Sequence, residues 1–408
     1  MACARSLEIA SIPRTEYLIS ARREQQEMNF KPIATNILLL SIVLFLNSCT
    51  LISELAPTDV DTSHIKDWIA VPVFYATNRQ RASSQAIDFS EQRAHKGLRF
   101  GVKNVVVPAP ELVHISKDTM KRMGWEIIHL DKPLPKGRTP ALPPSMPFAD
   151  KEYTIKDVVK GFDQYRADSG SKRVIFFVHG CCATFQASLE RSAKIASHMQ
   201  IPLVVYDWDS PKGFTKYLEN ETLVEQTTDD FYSFLNAVEA VVPPANTTLI
   251  SHSMGARFFD AALLRRAERM RFGVPVSKYE EVIFSQPDTD ARAYIRHNKE
   301  IAAQAEKTRI YFNRKDGRLD ASATAHGFER LGRPGILLER LCKQDNQEMM
   351  DITQCAMGHE IPFWVLADVS GTDSTAHPPE ETMKEAGYTL NRVGANHFEV
   401  QKLAGNKD

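Results

Sequence analysis

From residue 151 onward the chain alternates long amphipathic stretches with short, almost wholly apolar ones. "IKDVVKGFDQYRAD" has helical spacing and leads to "RVIFFVHG", and "FQASLERSAKIASHM" leads to "PLVVYDWD". "TLVEQTTDDFYSFLNAVEAVV" precedes "TTLISHSMG", and "ARFFDAALLRRAERM" precedes "YEEVIFSQPD". Short runs of Val, Ile and Phe set between helices mark a parallel sheet covered on both faces, so the pattern predicts an α/β fold. Two further strands are expected in "TRIYFNRKD" and "PFWVLADVS". Upstream, "WIAVPVFYATNRQR" and "GLRFGVKNVVVP" read as strands, and "KPLPKGRTPALPPSMP" as a Pro-rich loop. The expected division is N-terminal strands and loop over 68–150 and a core over 151–408.

The N-terminus follows another pattern. "NILLLSIVLFLNSC" holds a ten-residue apolar run, Ile37 to Leu46, interrupted only by Ser41. As a helix it spans roughly 15 Å, half a bilayer core, which fits an export signal better than a membrane span or a buried core helix. Leu46, Asn47, Ser48 and Cys49 resemble the bacterial lipoprotein processing box, in which the cysteine receives lipid. Starting at Met28 gives a short positive lead through Lys31. Residues 1–27 then read as an overcalled start or long lead, 28–48 as the signal and 49–67 as a tether. This places the chain in the cell envelope, membrane-anchored through Cys49 and facing the periplasm. Thr50, not aspartate, resembles lipoproteins sent to the outer membrane.

At 408 residues, 43% hydrophobic and 25% charged, the composition is that of a globular protein. Fifty basic against 51 acidic residues leave a net charge of −1 and no field to attract nucleic acid. Of six cysteines, Cys3 precedes the proposed start, Cys181 and Cys182 are adjacent, and Cys342 and Cys355 are spaced so that an oxidising compartment permits, without establishing, a disulfide. No spacing reads as a zinc site, and neither metal nor organic cofactor is expected.

The chemistry centres on "SHSMG". A strand ends there and an amphipathic helix begins, with Ser253 between small residues at Ser251 and Gly255. A hydroxyl on such a turn is exposed for attack and lies near free amides at a helix N-terminus. The plain alternative is a tight turn whose serine caps the helix. About 70 residues earlier, "VIFFV" ends in His179, Gly180 and Cys181. A turn there would let the amides of Cys181 and Met254 form an oxyanion hole. Its alternative is a simple glycine turn with a packed histidine.

The segments "VPVFYATNRQR", "FFVHG", "YDWDS", "KYLENE", "LISHSMGARFFDAAL", "SQPDTDA" and "RIYFNRKD" resemble a bacterial α/β-hydrolase family of undefined function over about residues 70–400. The chain departs from it at "CCATF" and at Asp209. The fold orders its triad as nucleophile, acid, base. Asp316, after the strand in "RIYFNRKD", is therefore the expected acid, with Asp288 its competitor and Asp290 a weaker one; either could instead cap a helix. His397, in a Gly/Asn-rich loop, is the expected base, ahead of His377, whose following prolines suggest a surface turn. His252, next to the nucleophile, should point away from the base. Trp208, Asp209 and Ser210 either line a pocket or simply end a strand, and the long segment 317–362 is either a lid or filler.

These expectations describe a cofactor-free serine hydrolase cleaving a carboxylic ester or similar acyl bond of a small-molecule or lipid substrate through an acyl-enzyme. A non-catalytic, lipid-held scaffold with the same fold and an acyltransferase are the alternatives.

Overall fold

The computed structural model describes residues 65–403 apart from 83–87, 95–96, 110–114, 136–137, 144–145, 147–149, 357, 363–383 and 385–386. The expected lead, signal and most of the tether, with Cys3, Cys49 and Thr50, lie outside the described residues, as do His377 and nearly all of "PFWVLADVS". Among the described residues no helix is long and apolar enough to cross a membrane.

In chain order the elements are β1 (Asp67–Thr77), β2 (Arg79–Arg81), β3 (Phe89–Arg93), β4 (Arg99–Pro108), α1 (Lys117–Met123), β5 (Glu126–His129), β6 (Lys151–Tyr153), α2 (Ile155–Asp168) and β7 (Val174–Val178). Then come α3 (Phe185–Met199), β8 (Leu203–Asp207), α4 (Tyr217–Glu239), β9 (Thr247–His252), α5 (Ala256–Arg271), β10 (Tyr279–Ser285), α6 (Ala291–Ala302) and β11 (Ala305–Phe312). The chain continues through α7 (Gly317–His326), α8 (Leu338–Leu341), β12 (Gln347–Asp351), β13 (Tyr388–Arg392) and β14 (His397–Lys402).

The main sheet runs β13-β14-β12-β11-β10-β9-β7-β8-β1-β4-β6, with β5 also on β1. Neighbours from β1 through β8, β7, β9, β10, β11 and β12 to β14 pair in parallel. The additions at either edge, β4, β6 and β13, are antiparallel. Every residue of β7, β8 and β9 is buried; β7 accordingly reads as an unbroken apolar run, β8 is apolar up to Asp207, and β9 keeps an apolar pair, Leu249 and Ile250, between polar residues. The expected α/β architecture is the observed one.

Two strands depart from expectation. Segment 317–362 is not one connection but holds α7, α8 and β12, and β12 continues the sheet beside β11. His397 is not in a loop before a helix; it opens β14, in register with Met349.

Chain order and strand order diverge at β7. The chain steps from β7 to β8 on one side, then returns across β7 to β9 on the other. Helices leaving β7 and β9 in opposite directions open a crevice at the carboxyl ends of these strands, where α/β proteins bind ligands.

A buried charge network ties together the ends of β1, β8 and β7. Arg79 has no exposure, and its Nε donates to Asp207 Oδ2 at 2.8 Å. Its other nitrogens reach the carbonyls of Ala183, at 2.7 Å, and Ser210. Thr77 Oγ1 donates to the same Asp207 oxygen, His179 Nε2 lies 3.1 Å from the other, and Asn78 Nδ2 donates to Asp209. Burial pushes the Asp207 carboxyl up, but Arg79, His179 and Thr77 outweigh it and hold the group at about 2.

Removing one partner of a buried pair leaves an uncompensated charge, so Arg79→Ala should cost about 3–5 kcal/mol in urea unfolding. A loss under about 1 kcal/mol would place the pair among weak surface contacts. Because the folded-state carboxyl titrates below its unfolded value of about 3.9, its stabilisation is present above that pH and drains away as pH falls toward about 2. Urea midpoints followed down through that window should drop more steeply for the native chain than for Asp207→Asn; parallel curves would contradict the assignment.

Candidate active site

The site is built on the crevice between the ends of β7 and β9. Ser253 follows β9 directly, is 4% exposed, and has φ 53°, a left-handed backbone that non-glycine residues seldom adopt. The sharp reversal brings strand and helix backbones together. A Cβ on Gly255 would lie 2.5 Å from the His179 carbonyl oxygen and 2.8 Å from that of Val178, so only hydrogen fits. Gly180 faces the other flank, where a Cβ would meet Ser253 Cβ at 2.7 Å. The two turns are therefore in backbone contact, with Cys181 one residue beyond the first contact and Met254 one beyond the nucleophile.

The partner of Ser253 is His359. Its Nε2 lies 2.7 Å from Ser253 Oγ, and its Nδ1 lies 2.5 Å from Asp316 Oδ2. A carboxylate can only accept, so Nδ1–H donates to Asp316 and Nε2 is left to accept the serine proton. Asp316 is fully buried and also caps α7, its Oδ1 accepting from the amides of Arg318 and Leu319 at 3.0 Å each. Gln286 Nε2 donates to Oδ2 at 3.1 Å. The capping and orienting roles weighed for Asp316 are both present.

His397, the expected base, is a correction. Its ring packs 5.8 Å from that of Phe312, beside Asp351 and Glu399. It stands on the strand beyond β12, whereas the loop leaving β12 carries His359 back over the sheet edge. Sequence reasoning missed His359 because "QEMMD" has no β-branched or aromatic residue, so the strand was not counted and its loop was absorbed into 317–362. Chain order fits His359 as well as His397; the available signal was "GHE" just after a short two-methionine run.

His252 also departs from expectation. Its ring centroid is 4.9 Å from that of His359 rather than turned away, and neither of its nitrogens has a hydrogen-bond partner among the described residues. Burial, then the neighbouring His359, Arg191 and Arg318, push its pKa well below the usual histidine range, so it packs as a neutral ring.

The carboxylate bonded to His359 is that of Asp316 and not of Asp288. The Asp288 carboxylate accepts from Tyr217 at 2.5 Å and Ser322 at 2.8 Å and pairs with Arg330 at 3.1 Å, while its amide donates to the Ser253 carbonyl. Asp290 caps α6 through the Arg292 amide. Trp208, Asp209 and Ser210 are buried and brace the turn instead of lining a pocket: Trp208 stacks on His179 and donates to its carbonyl, and Ser210 Oγ accepts from the Cys182 amide. Segment 317–362 is neither lid nor filler, since it supplies the Asp316-capped helix and His359.

The thiols of Cys342 and Cys355 are free, so the permitted disulfide is not formed; Cys355 donates to the Val400 carbonyl, and burial pushes it up to about 12. Asp351, His397 and Glu399 bring three donor atoms within 4.8 Å of one another, but the Arg314 Nε already donates to Asp351 Oδ2 at 2.9 Å and supplies a positive charge to that carboxylate. A cavity of about 420 Å³ lined by Glu221, Arg257, Asp260, Tyr294, His326 and Arg330 shares no residue with the Ser253–His359–Asp316 series.

No curated protein matches the chain. Among solved structures, an HSL homologue, EstE7, from a metagenome library is similar at 14% identity and a TM-score of 0.26, over 44% of this chain and 58% of that one. An esterase/lipase from an uncultured bacterium is similar at 13% identity and a TM-score of 0.25, over 60% and 92% of the two chains. A profile described as an alpha/beta hydrolase of unknown function (DUF900) matches residues 160–362, a range that includes Ser253, Asp316 and His359. Over that range the chain belongs to this α/β-hydrolase family.

Proposed function

We propose that the chain is a serine hydrolase that cleaves a carboxylic ester or related acyl bond through an acyl-enzyme. The observation that carries this reading is the unbroken hydrogen-bonded series from Ser253 Oγ through both nitrogens of His359 to Asp316. In the reaction Ser253 Oγ attacks the acyl carbon as its proton passes to His359 Nε2. Asp316 keeps the ring in the required tautomer and stabilises the imidazolium. Negative charge on the carbonyl oxygen falls to the amides of Cys181 and Met254. The imidazolium then protonates the leaving group, and water repeats the sequence on the acyl-enzyme. The substrate is a small or lipid-like acyl compound.

The membrane attachment belongs to the same proposal and rests on the sequence alone: lipid on Cys49 holds the domain at the cell envelope. A palmitate label should follow the expressed chain and vanish in Cys49→Ser; equal labelling of both would remove the anchor from this account.

A fluorophosphonate probe should label the folded protein at Ser253. His359→Ala should slow labelling by about 10³-fold or more, and Asp316→Asn by about 10⁴-fold if the tautomer matters as argued. His397→Ala should leave the rate within a factor of about 2, as for a side chain outside the reacting series. Equal effects of the two histidine substitutions would refute the assignment of the base.

A further inference from the structure

Two consecutive cysteines occupy the turn that touches the nucleophile elbow, and hydrolysis makes no use of their sulfurs. Neighbouring side chains on an extended chain point to opposite sides. Here Cys182 has φ 64°, and the two sulfurs come to the same side, 2.8 Å apart. Both residues are partly exposed. The Cys182 sulfur is also within reach of Asn220 Nδ2, at 3.9 Å, and of the Gly213 carbonyl, at 3.5 Å. The two thiols are chemically unequal. The bond to Cys181, helped by Arg318 and Arg191 against the opposing effect of burial, lowers the Cys182 thiol, and the same bond raises that of Cys181. One sulfur is poised as the attacking thiolate and the other as its resolving thiol.

We propose that Cys181 and Cys182 form a redox-active dithiol that small-molecule disulfides convert reversibly into a ring between adjacent residues, reshaping the oxyanion turn. In the first step the Cys182 thiolate attacks one sulfur of the disulfide, whose S–S bond breaks to release one thiolate. Cys181 then gives its proton to solvent, its sulfur attacks Cys182 Sγ, and the second thiolate leaves. The protein loses two electrons and two protons; the small disulfide gains both as two thiols.

Adjacent Cα atoms are about 3.8 Å apart, below the roughly 4.4–6.8 Å of ordinary disulfides, so this ring closes under strain and reopens readily. It is therefore a reversible control and not a structural staple. The ring contains the 181–182 peptide group, whose nitrogen donates to Ser210 Oγ in the dithiol form. Closure pulls that amide from its partner and shifts the Cys181 amide beside it. The effect on catalysis rests on the hydrolase reading above; the dithiol chemistry does not.

The full chain, incubated with oxidised glutathione and digested without reductant, should yield a 181–182 peptide lighter by two hydrogens, restored by dithiothreitol and absent in Cys182→Ser. A persistent glutathione adduct, or an unchanged peptide, would overturn ring formation. On the same samples, fluorophosphonate labelling of Ser253 should be at least about 10-fold slower in the oxidised than in the reduced protein, as expected when an oxyanion donor is misplaced. In Cys182→Ser that ratio should be one. A ring that forms without changing the ratio would overturn the coupling. If even the reduced protein fails to label, the hydrolase reading falls, and amide hydrogen exchange at 180–182 decides whether closure remodels the turn.

Discussion

A guanidinium cannot be buried without a counter-charge, and the need to pair Arg79 governs how the catalytic edge of this sheet is assembled. Arg79 lies just past β1, Asp207 ends β8, and His179 follows β7; the contacts among them place these three strand ends at one level. Register errors in any of the strands would strand a charge in the core. The three segments are those whose motifs are distinctive in the sequence, "YATNR", "YDWD" and "FVHG", and none of their charged side chains reaches Ser253. Their task is to brace the turn after β7, and that turn is the floor on which the elbow rests.

From there the geometry is transmitted by backbone contact. The His179 carbonyl leaves no room for a side chain on Gly255, and Gly180 leaves none beside Ser253. Close approach at two points fixes the elbow against the neighbouring strand end, as rigid support for a hydroxyl requires. Asp288 contributes from the other side: tied to Arg330, Tyr217 and Ser322, it uses only its amide on the elbow, donating to the Ser253 carbonyl.

The central sheet was legible because strands buried on both faces are rich in apolar and β-branched residues, as VIFFV in β7 and LVVY in β8 are, each set between amphipathic helices. The turn at Ser253 and the position of Asp316 were legible because each sits where a strand gives way to a helix, a transition the change of period reveals. β12 was not, since it relies on Met349 and Met350, flexible side chains without strand preference, between polar residues. Losing that strand moved the expected base one loop too far along the chain, from His359 to His397. The orientation of His252 was unreadable for a different reason: its surroundings come from a loop more than 100 residues away, and no local rule supplies them.

Asp316 offers one more lesson. Two backbone amides, the Gln286 amide and the His359 ring each donate to its carboxylate, and these four donors occupy all the lone-pair positions that two oxygens provide. A carboxylate so saturated has nowhere to receive a travelling proton. In the proposed reaction it would serve as a fixed electrostatic anchor, with the migrating hydrogen passing only between the serine oxygen, the imidazole and the departing group.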